Sequence, residues 1–168
     1  MAMDIYSFVK VSAPIGESFH YFFSLNLMET FQVSPFFPYT VYGSFKDQSA
    51  KKGIEHLICF EGGSTAKYLL RDYIPETSFT VNISNFTSKS FTALYSVDCY
   101  LSFSEIELGR TKVHCHYKIN LHSNFWNILF NFFLRKVIQK KLDLVMIRTA
   151  KEVGDFVGWK SSLDNTRD

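Results

Sequence analysis

Three consecutive segments of the sequence alternate between apolar and polar residues, strictly in the first and third and mostly in the second. The alternation runs through residues 79–85, 91–103 and 112–119. In a strand, successive side chains point to opposite faces, so this pattern predicts an antiparallel sheet with one covered face and one solvent-exposed face. The predicted covered set is Phe79, Val81, Ile83, Ala93, Tyr95, Val97, Val113, Cys115 and Tyr117.

The segment that follows predicts the layer that covers this sheet. From residue 123 to about residue 156 there is no proline, and the first glycine is Gly154. Apolar residues recur there at spacings of three and four, which predicts one helix of roughly 30 residues, about 45 Å long. Ser123 is a suitable N-cap. We expect residues 1–156 to form one domain and residues 157–168 to form a polar C-terminal tail.

The first half of the chain predicts shorter elements. Residues 5–12 have the composition of a strand, and Pro14 suits the first turn of a helix over residues 14–24. A second short helix is expected over residues 26–32. Three further strands are predicted over residues 39–46, 54–60 and 64–74, with a hairpin turn at Gly62-Gly63.

Composition excludes several classes of protein. The formal net charge is +2, which gives no basis for nucleic-acid binding. Three cysteines inside apolar runs indicate reduced core thiols rather than disulfides. No signal peptide is visible, and the apolar run 125–134 is shorter than the ~20 residues that span a bilayer, so we expect a cytoplasmic protein. Aromatic residues make up 17% of the chain, which indicates a lined cavity or an exposed apolar patch.

Five short motifs, in this order, resemble those of the START-like superfamily, also called SRPBCC, and within it the polyketide cyclase/dehydrase and lipid-transport branch. They are Val-x-Val-x-Ala-Pro at 9–14, Phe-x-x-Phe at 19–22, the glycine-marked hairpin at 53–63, the strand ending at a proline at 68–75, and Gly-Arg-Thr-Lys-Val at 109–113. The resemblance covers about residues 4–156 and ends in the long helix.

The resemblance implies an α+β helix-grip fold. In this fold a curved antiparallel sheet of about six to seven strands grips a long C-terminal helix, and two short helices follow the first strand. It also implies an apolar cavity between sheet and helix, which relatives use for lipids, polyketides, hormones or aromatic metabolites. Most relatives are carriers or sensors, some are cyclases, and others are subunits of larger assemblies. Fold alone does not choose among these.

The alternation and the resemblance together nominate residues for this cavity. Arg71 is a candidate anchor for a ligand carboxylate, although a charge at the rim or on the outer face is the alternative. Trp126 and Phe130 are left over once one helix face meets the sheet. The expected lining is Phe22, Leu69, Arg71, Tyr73, Phe79, Val81, Tyr95, Val97, Tyr117, Phe125, Leu129 and Phe132, and the expected mouth is Phe23, Phe36, Trp126 and Phe130.

No constellation of catalytic residues stands out. His114 and His116 lie two apart on one strand, but no third metal ligand is evident, so we assign no catalytic residue, metal or cofactor. We expect a protein that binds or transports a hydrophobic small molecule. A cyclase or dehydratase remains an alternative, as does an accessory protein that docks on a membrane or a partner. Peripheral membrane contact and a homodimer stay open because of Trp126, Phe130 and the basic residues of the long helix.

Overall fold

The structure is a computed structural model that describes residues 2–24, 40–43, 52–60 and 62–164. The first strand and helix are β1 (Ala2–Val11) and α1 (Ile15–Phe23). Six strands follow: β2 (Thr40–Gly43), β3 (Glu55–Phe60), β4 (Thr65–Ile74), β5 (Ser78–Ser84), β6 (Leu94–Glu107) and β7 (Arg110–Leu121). The chain then forms α2 (Asn124–Leu129), a π-helical turn (Phe130–Leu134) and α3 (Arg135–Asp164).

The seven strands of the described residues form one antiparallel sheet. Its order is β1-β7-β6-β5-β4-β3-β2, so sequential strands are neighbours except that β1 pairs with β7. Gly109 joins β6 to β7 with φ of 76°, a conformation that favours glycine. The predicted sheet and its helical cover are confirmed.

The C-terminal helix runs along the β1 edge of the sheet. The Ser7 hydroxyl donates to Asp143 Oδ1 at 2.6 Å, and Gln139 Nε2 donates to the backbone carbonyl of Tyr6 at 2.7 Å. The second bond satisfies a carbonyl on an edge strand, which would otherwise be open to pairing with another chain. The buried helix positions Ile138, Leu142 and Met146 pack into the core.

Two details of the helices differ from expectation. The last helix continues to Asp164, beyond the end predicted near residue 156, because no proline interrupts it and single glycines cost a helix only about 1 kcal/mol each. The second short helix expected over residues 26–32 lies outside the described residues.

Candidate functional site

The inner face of the sheet is built from rows of side chains that the strand register aligns. One row comes from paired positions on six strands and contains His56, Tyr68, Ile83, Val97, Ile119 and Met3. The next row contains Leu70, Val81, Cys99, Tyr117 and Ile5. In these two rows every side chain except His56 is at most 4% exposed, so the inner face is a continuous apolar surface that carries a few polar groups.

His56 and Tyr68 are neighbours on this face. They are paired across β3 and β4, and their ring centroids are 6.5 Å apart. The His56 Nε2 atom is buried and has no hydrogen-bond partner among the described residues. Burial raises the pKa of the Tyr68 phenol well above its ordinary value, and nearby Cys99 raises it further. The pair therefore places a neutral phenol beside a buried imidazole nitrogen that has no hydrogen-bond partner among the described residues.

Two thiols also lie on the inner face, and one of them, Cys99, is close enough to Tyr68 to affect the pKa of its phenol. Cys99 and Cys115 are both buried and free, with their Sγ atoms 3.8 Å apart. Burial, together with the hydrogen bond to Cys99, raises the pKa of the Cys115 thiol well above its ordinary value. A protonated buried thiol is inert as a nucleophile, so Cys115 acts as a small apolar side chain, in agreement with the expectation of a reduced core thiol.

Aromatic rings close the end of the inner face next to α1. Phe19 makes edge contacts with Tyr73, Phe79 and Phe103 at centroid distances of 5.1 to 5.8 Å. Phe23 packs against Tyr73 and Phe79 at 5.2 and 5.1 Å. Such edge contacts add to the stabilisation from area burial alone, so these rings form a packed cluster at this end of the inner face.

Six of the twelve residues expected to line the cavity lie on the inner face or in the layer against it. Phe22, Phe79, Val81, Val97 and Tyr117 are each at most 1% exposed. Tyr73 sits at the α1 end and is 39% exposed, beside the half-buried Phe23 of the expected mouth. Phe36 of the expected mouth lies outside the described residues.

Three of the expected lining positions on the sheet are wrong. In β4 the buried residues are Ala66, Tyr68 and Leu70, so Leu69 and Arg71 project from the outer face. Tyr95 is 63% exposed because the pairing of β6 with β7 shifts between Leu94 and Ser96. A bulge of this kind adds one unpaired residue and reverses the alternation on one side of it.

Arg71 is part of a polar network on the outer face rather than a ligand anchor. It pairs with Asp98 Oδ1 at 3.3 Å. Asn82 Nδ2 donates to the same oxygen at 2.7 Å, and Asn120 Nδ2 donates to Asp98 Oδ2 at 3.1 Å and to Ser96 Oγ at 3.0 Å. Asn82 and Ser96 are buried on this outer face, where they are hydrogen-bonded to Asp98 and Asn120. Their burial is therefore compatible with an apolar inner face.

The start of the C-terminal helix also faces differently from expectation. Phe125 and Phe132 are 69% and 80% exposed, whereas Phe130, expected at the mouth, is 4% exposed and belongs to the core. Trp126 is partly buried and packs against the core, and Leu129 is half-buried. The cause is the π-turn at Phe130–Leu134. Its i→i+5 hydrogen bonds fit an extra residue into one turn and change which residues meet the sheet.

Sequence reasoning missed the pairing of His56 with Tyr68. A signal was available in β4, where the charged Lys67 and Arg71 share one face and Tyr68 and Leu70 fall on the opposite side. Lys67 indeed pairs with the exposed Glu55 at 2.6 Å. Placing both charges outside would have turned Tyr68 inward.

Other kinds of site find no support in the described part of the chain. Within it, no group of three or more His, Cys, Asp or Glu side chains is arranged to hold a metal ion. No helix in the described ranges has both the length and the apolarity that a membrane span requires.

Two comparisons by sequence, with family models and with curated proteins, find no match.

Comparison by structure finds several proteins of known structure with the same architecture. Norcoclaurine synthase from Thalictrum flavum, solved in complex with dopamine and hydroxybenzaldehyde, superposes with a TM-score of 0.58 at 10% identity; the match covers 94% of this chain and 87% of that one. The Zhui aromatase/cyclase from Streptomyces sp. R1128 gives a TM-score of 0.56 at 9% identity, with 94% and 96% covered. Ara h 8.0201 gives 0.52 at 12% identity, with 88% and 99% covered.

These structural matches cover nearly the whole of each chain. Their sequence identities are so low that they show a shared fold and nothing more. They agree with the topology, in which a seven-stranded antiparallel sheet is interrupted after its first strand by α1 and is followed by one long helix. The chain therefore has the helix-grip fold, which is the fold implied by the resemblance of its sequence motifs to the START-like superfamily.

Proposed function

We propose that this protein binds a hydrophobic small molecule against the inner face of its sheet, between the sheet and the C-terminal helix. A single observation carries the proposal: the His56 Nε2 atom is buried on an otherwise apolar surface and has no hydrogen-bond partner among the described residues. A buried polar group left unpaired costs about 1–3 kcal/mol. A ligand that pairs with it recovers this cost.

The surroundings of His56 define the chemical class of ligand. The inner rows carry aliphatic and aromatic side chains, with the phenols of Tyr68 and Tyr117 and the thiol of Cys99 as the other polar groups. This composition suits a long or aromatic apolar body with one polar end. A fatty acid or another lipid-like molecule fits it, with the polar end at His56.

We infer that the ligand enters beside Trp126. This ring is partly buried against the core at the start of α2, and it lies 5.8 Å from the exposed ring of Phe125. The opposite end of the inner face is packed with the rings around Phe19. Trp126 is therefore the aromatic residue best placed to move when a ligand passes.

The test combines native mass spectrometry with a binding assay. Freshly purified protein is examined for a retained lipid, and the delipidated protein is titrated with oleic acid while thermal stability is followed. Ligand bound to the folded state raises the melting temperature in proportion to the logarithm of its concentration. We expect His56→Phe to weaken oleate binding about tenfold without lowering the stability of the free protein.

The matched control is His114→Phe, which changes an exposed histidine on the outer face of β7. It is expected to bind oleate like the wild type. Trp126→Ala is expected to change the rate of ligand exchange. The absence of any retained lipid, together with no thermal shift, contradicts the proposal; so does an equal effect of the two histidine variants.

A second candidate function is a cyclase or dehydratase, favoured by the adjacency of His56 and Tyr68 on the inner face. An imidazole and a phenol are suitable proton donors and acceptors for such a reaction. Binding is preferred because, among the described residues, neither His56 nor His122 has a carboxylate within hydrogen-bond distance. A polyketide-like aromatic ketone recovered intact after incubation supports binding, and one recovered with the loss of one water supports an enzyme.

A further inference from the structure

The outward side of the helix start carries an apolar surface that the proposed function does not use. Four large side chains there are 63–80% exposed, and we call them the aromatic tip: Phe125, Ile128, Phe132 and Phe133. The aromatic tip lies on the side opposite the stripe of Trp126, Phe130 and Leu134 that packs into the core. Contiguous apolar surface of this kind on a folded protein marks an interaction site.

The chemistry next to the aromatic tip identifies its partner. Arg135, Lys136 and Lys140 follow directly along the same helix and are exposed. No acidic residue occurs between Glu107 and Asp143, so no carboxylate within this segment offsets these charges. Aromatic and aliphatic side chains beside exposed cations are the combination that binds the interface of an anionic bilayer.

We propose that the aromatic tip docks this protein on the surface of a membrane that contains anionic lipids. The rings of Phe125 and Phe132 enter the interface between headgroups and acyl chains, while Arg135, Lys136 and Lys140 contact lipid phosphates. This inference is independent of the ligand proposal, because it rests on side chains that point away from the inner face.

Charge distinguishes this partner from a second copy of the chain. A symmetric dimer through the aromatic tip would place the same surface on both subunits. It would bring two sets of three exposed cations together without an acidic partner from that segment. Repulsion between like charges at short range opposes such an interface, whereas anionic lipid headgroups neutralise these positive charges.

The experiment is co-sedimentation of the full-length protein with lipid vesicles. One set contains phosphatidylcholine alone, and the other contains roughly 30% phosphatidylglycerol. We expect binding to the anionic vesicles only, with several-fold loss at about 0.5 M NaCl because salt screens surface charge. The Phe125→Ser/Phe132→Ser variant is expected to lose at least about tenfold in partitioning. Lys136→Gln and Lys140→Gln are each expected to lose about fivefold.

The matched control is Leu108→Ser, which removes a 99% exposed leucine in the turn between β6 and β7. It is expected to bind vesicles like the wild type. Equal binding to neutral and anionic vesicles overturns the proposal, as does unchanged binding of the double serine variant. Sedimentation velocity without lipid provides a further check, because a dimer that the double serine variant abolishes assigns the aromatic tip to a second copy instead.

Discussion

At the scale of single residues, two phenylalanines in the same turn of the C-terminal helix have opposite environments. Phe130 is 4% exposed and Phe132 is 80% exposed, although they are two positions apart. Their roles therefore differ: Phe130 holds the helix to the sheet, and Phe132 is available for an outside partner.

This difference predicts a contrast between two alanine variants. Phe130→Ala is expected to lower the free energy of unfolding by about 3–5 kcal/mol, because it leaves a cavity in the core. Phe132→Ala is expected to stay within about 0.5 kcal/mol of the wild type. Urea denaturation of both variants measures the contrast, and similar losses would show that the helix start is oriented differently.

At the scale of elements, the π-turn keeps one side of the C-terminal helix against the sheet along its length. Trp126, Phe130, Leu134, Ile138 and Leu142 all pack inward at four-residue intervals. In a regular α-helix each such step turns about 40° beyond a full circle, so the stripe would wind away from the sheet. The extra residue in the π-turn offsets this drift.

A one-residue deletion tests this account. Removing Asn131 shortens the step from Phe130 to Leu134 from four residues to three. The inward positions then follow the three- and four-residue steps of a regular α-helix, so both halves of the helix keep their inward faces. We expect this variant to remain folded, with a cooperative thermal transition near that of the wild type.

The control deletion removes Leu144, an exposed residue in the middle of α3. It rotates every following residue by about 100° and turns Met146 and Ala150 away from the core. Circular dichroism is expected to show severe destabilisation here and little for the Asn131 deletion. The reverse order would contradict the role given to the π-turn.

At the scale of the whole molecule, the two ends of the sheet differ in construction. The α1 end carries the packed rings around Phe19, and the α2 end carries Trp126 against the core and the aromatic tip outside. The proposed ligand entry beside Trp126 and the proposed membrane docking of the aromatic tip therefore lie at the same end of the sheet.

Global stability is expected to fall at alkaline pH because of a buried thiol. Burial raises the pKa of Cys115 in the folded protein, while the unfolded chain releases this proton above about pH 8.5. The folded state then binds more protons than the unfolded state. The free energy of unfolding therefore falls as pH rises above this value, by at most about 1.4 kcal/mol per pH unit for this group.

Urea denaturation at several pH values between about 8 and about 10 measures this slope. Cys115→Ala is expected to flatten it, and Cys59→Ala, which changes a half-buried free cysteine, is expected to leave it unchanged. A wild-type slope that Cys115→Ala preserves would assign the alkaline loss to other groups.

The sequence predicted the fold more completely than the site. Alternation over 79–85 and 112–119 was enough to place Phe79, Val81 and Tyr117 inside, because regular pairing keeps a period of two. It failed at Tyr95, where the strand pairing shifts between Leu94 and Ser96, and in β4, where the shift between Leu70 and Asp72 places Tyr73 on the inner face but Leu69 and Arg71 on the outer face. Such shifts are set by how neighbouring strands fit together, and a local pattern does not contain them.

The sequence by itself determined that one face of an antiparallel sheet is covered by a long C-terminal helix, because periodicity and the absence of proline act locally. Only the tertiary structure decided which side of that helix meets the sheet. The π-turn keeps Trp126 and Leu142 on one face of the helix. In doing so it buries Phe130 and turns Phe132 to the outside. The pairing of His56 with Tyr68 was likewise decided by the register of β3 on β4, since contacts between strands depend on alignment that neither strand specifies alone.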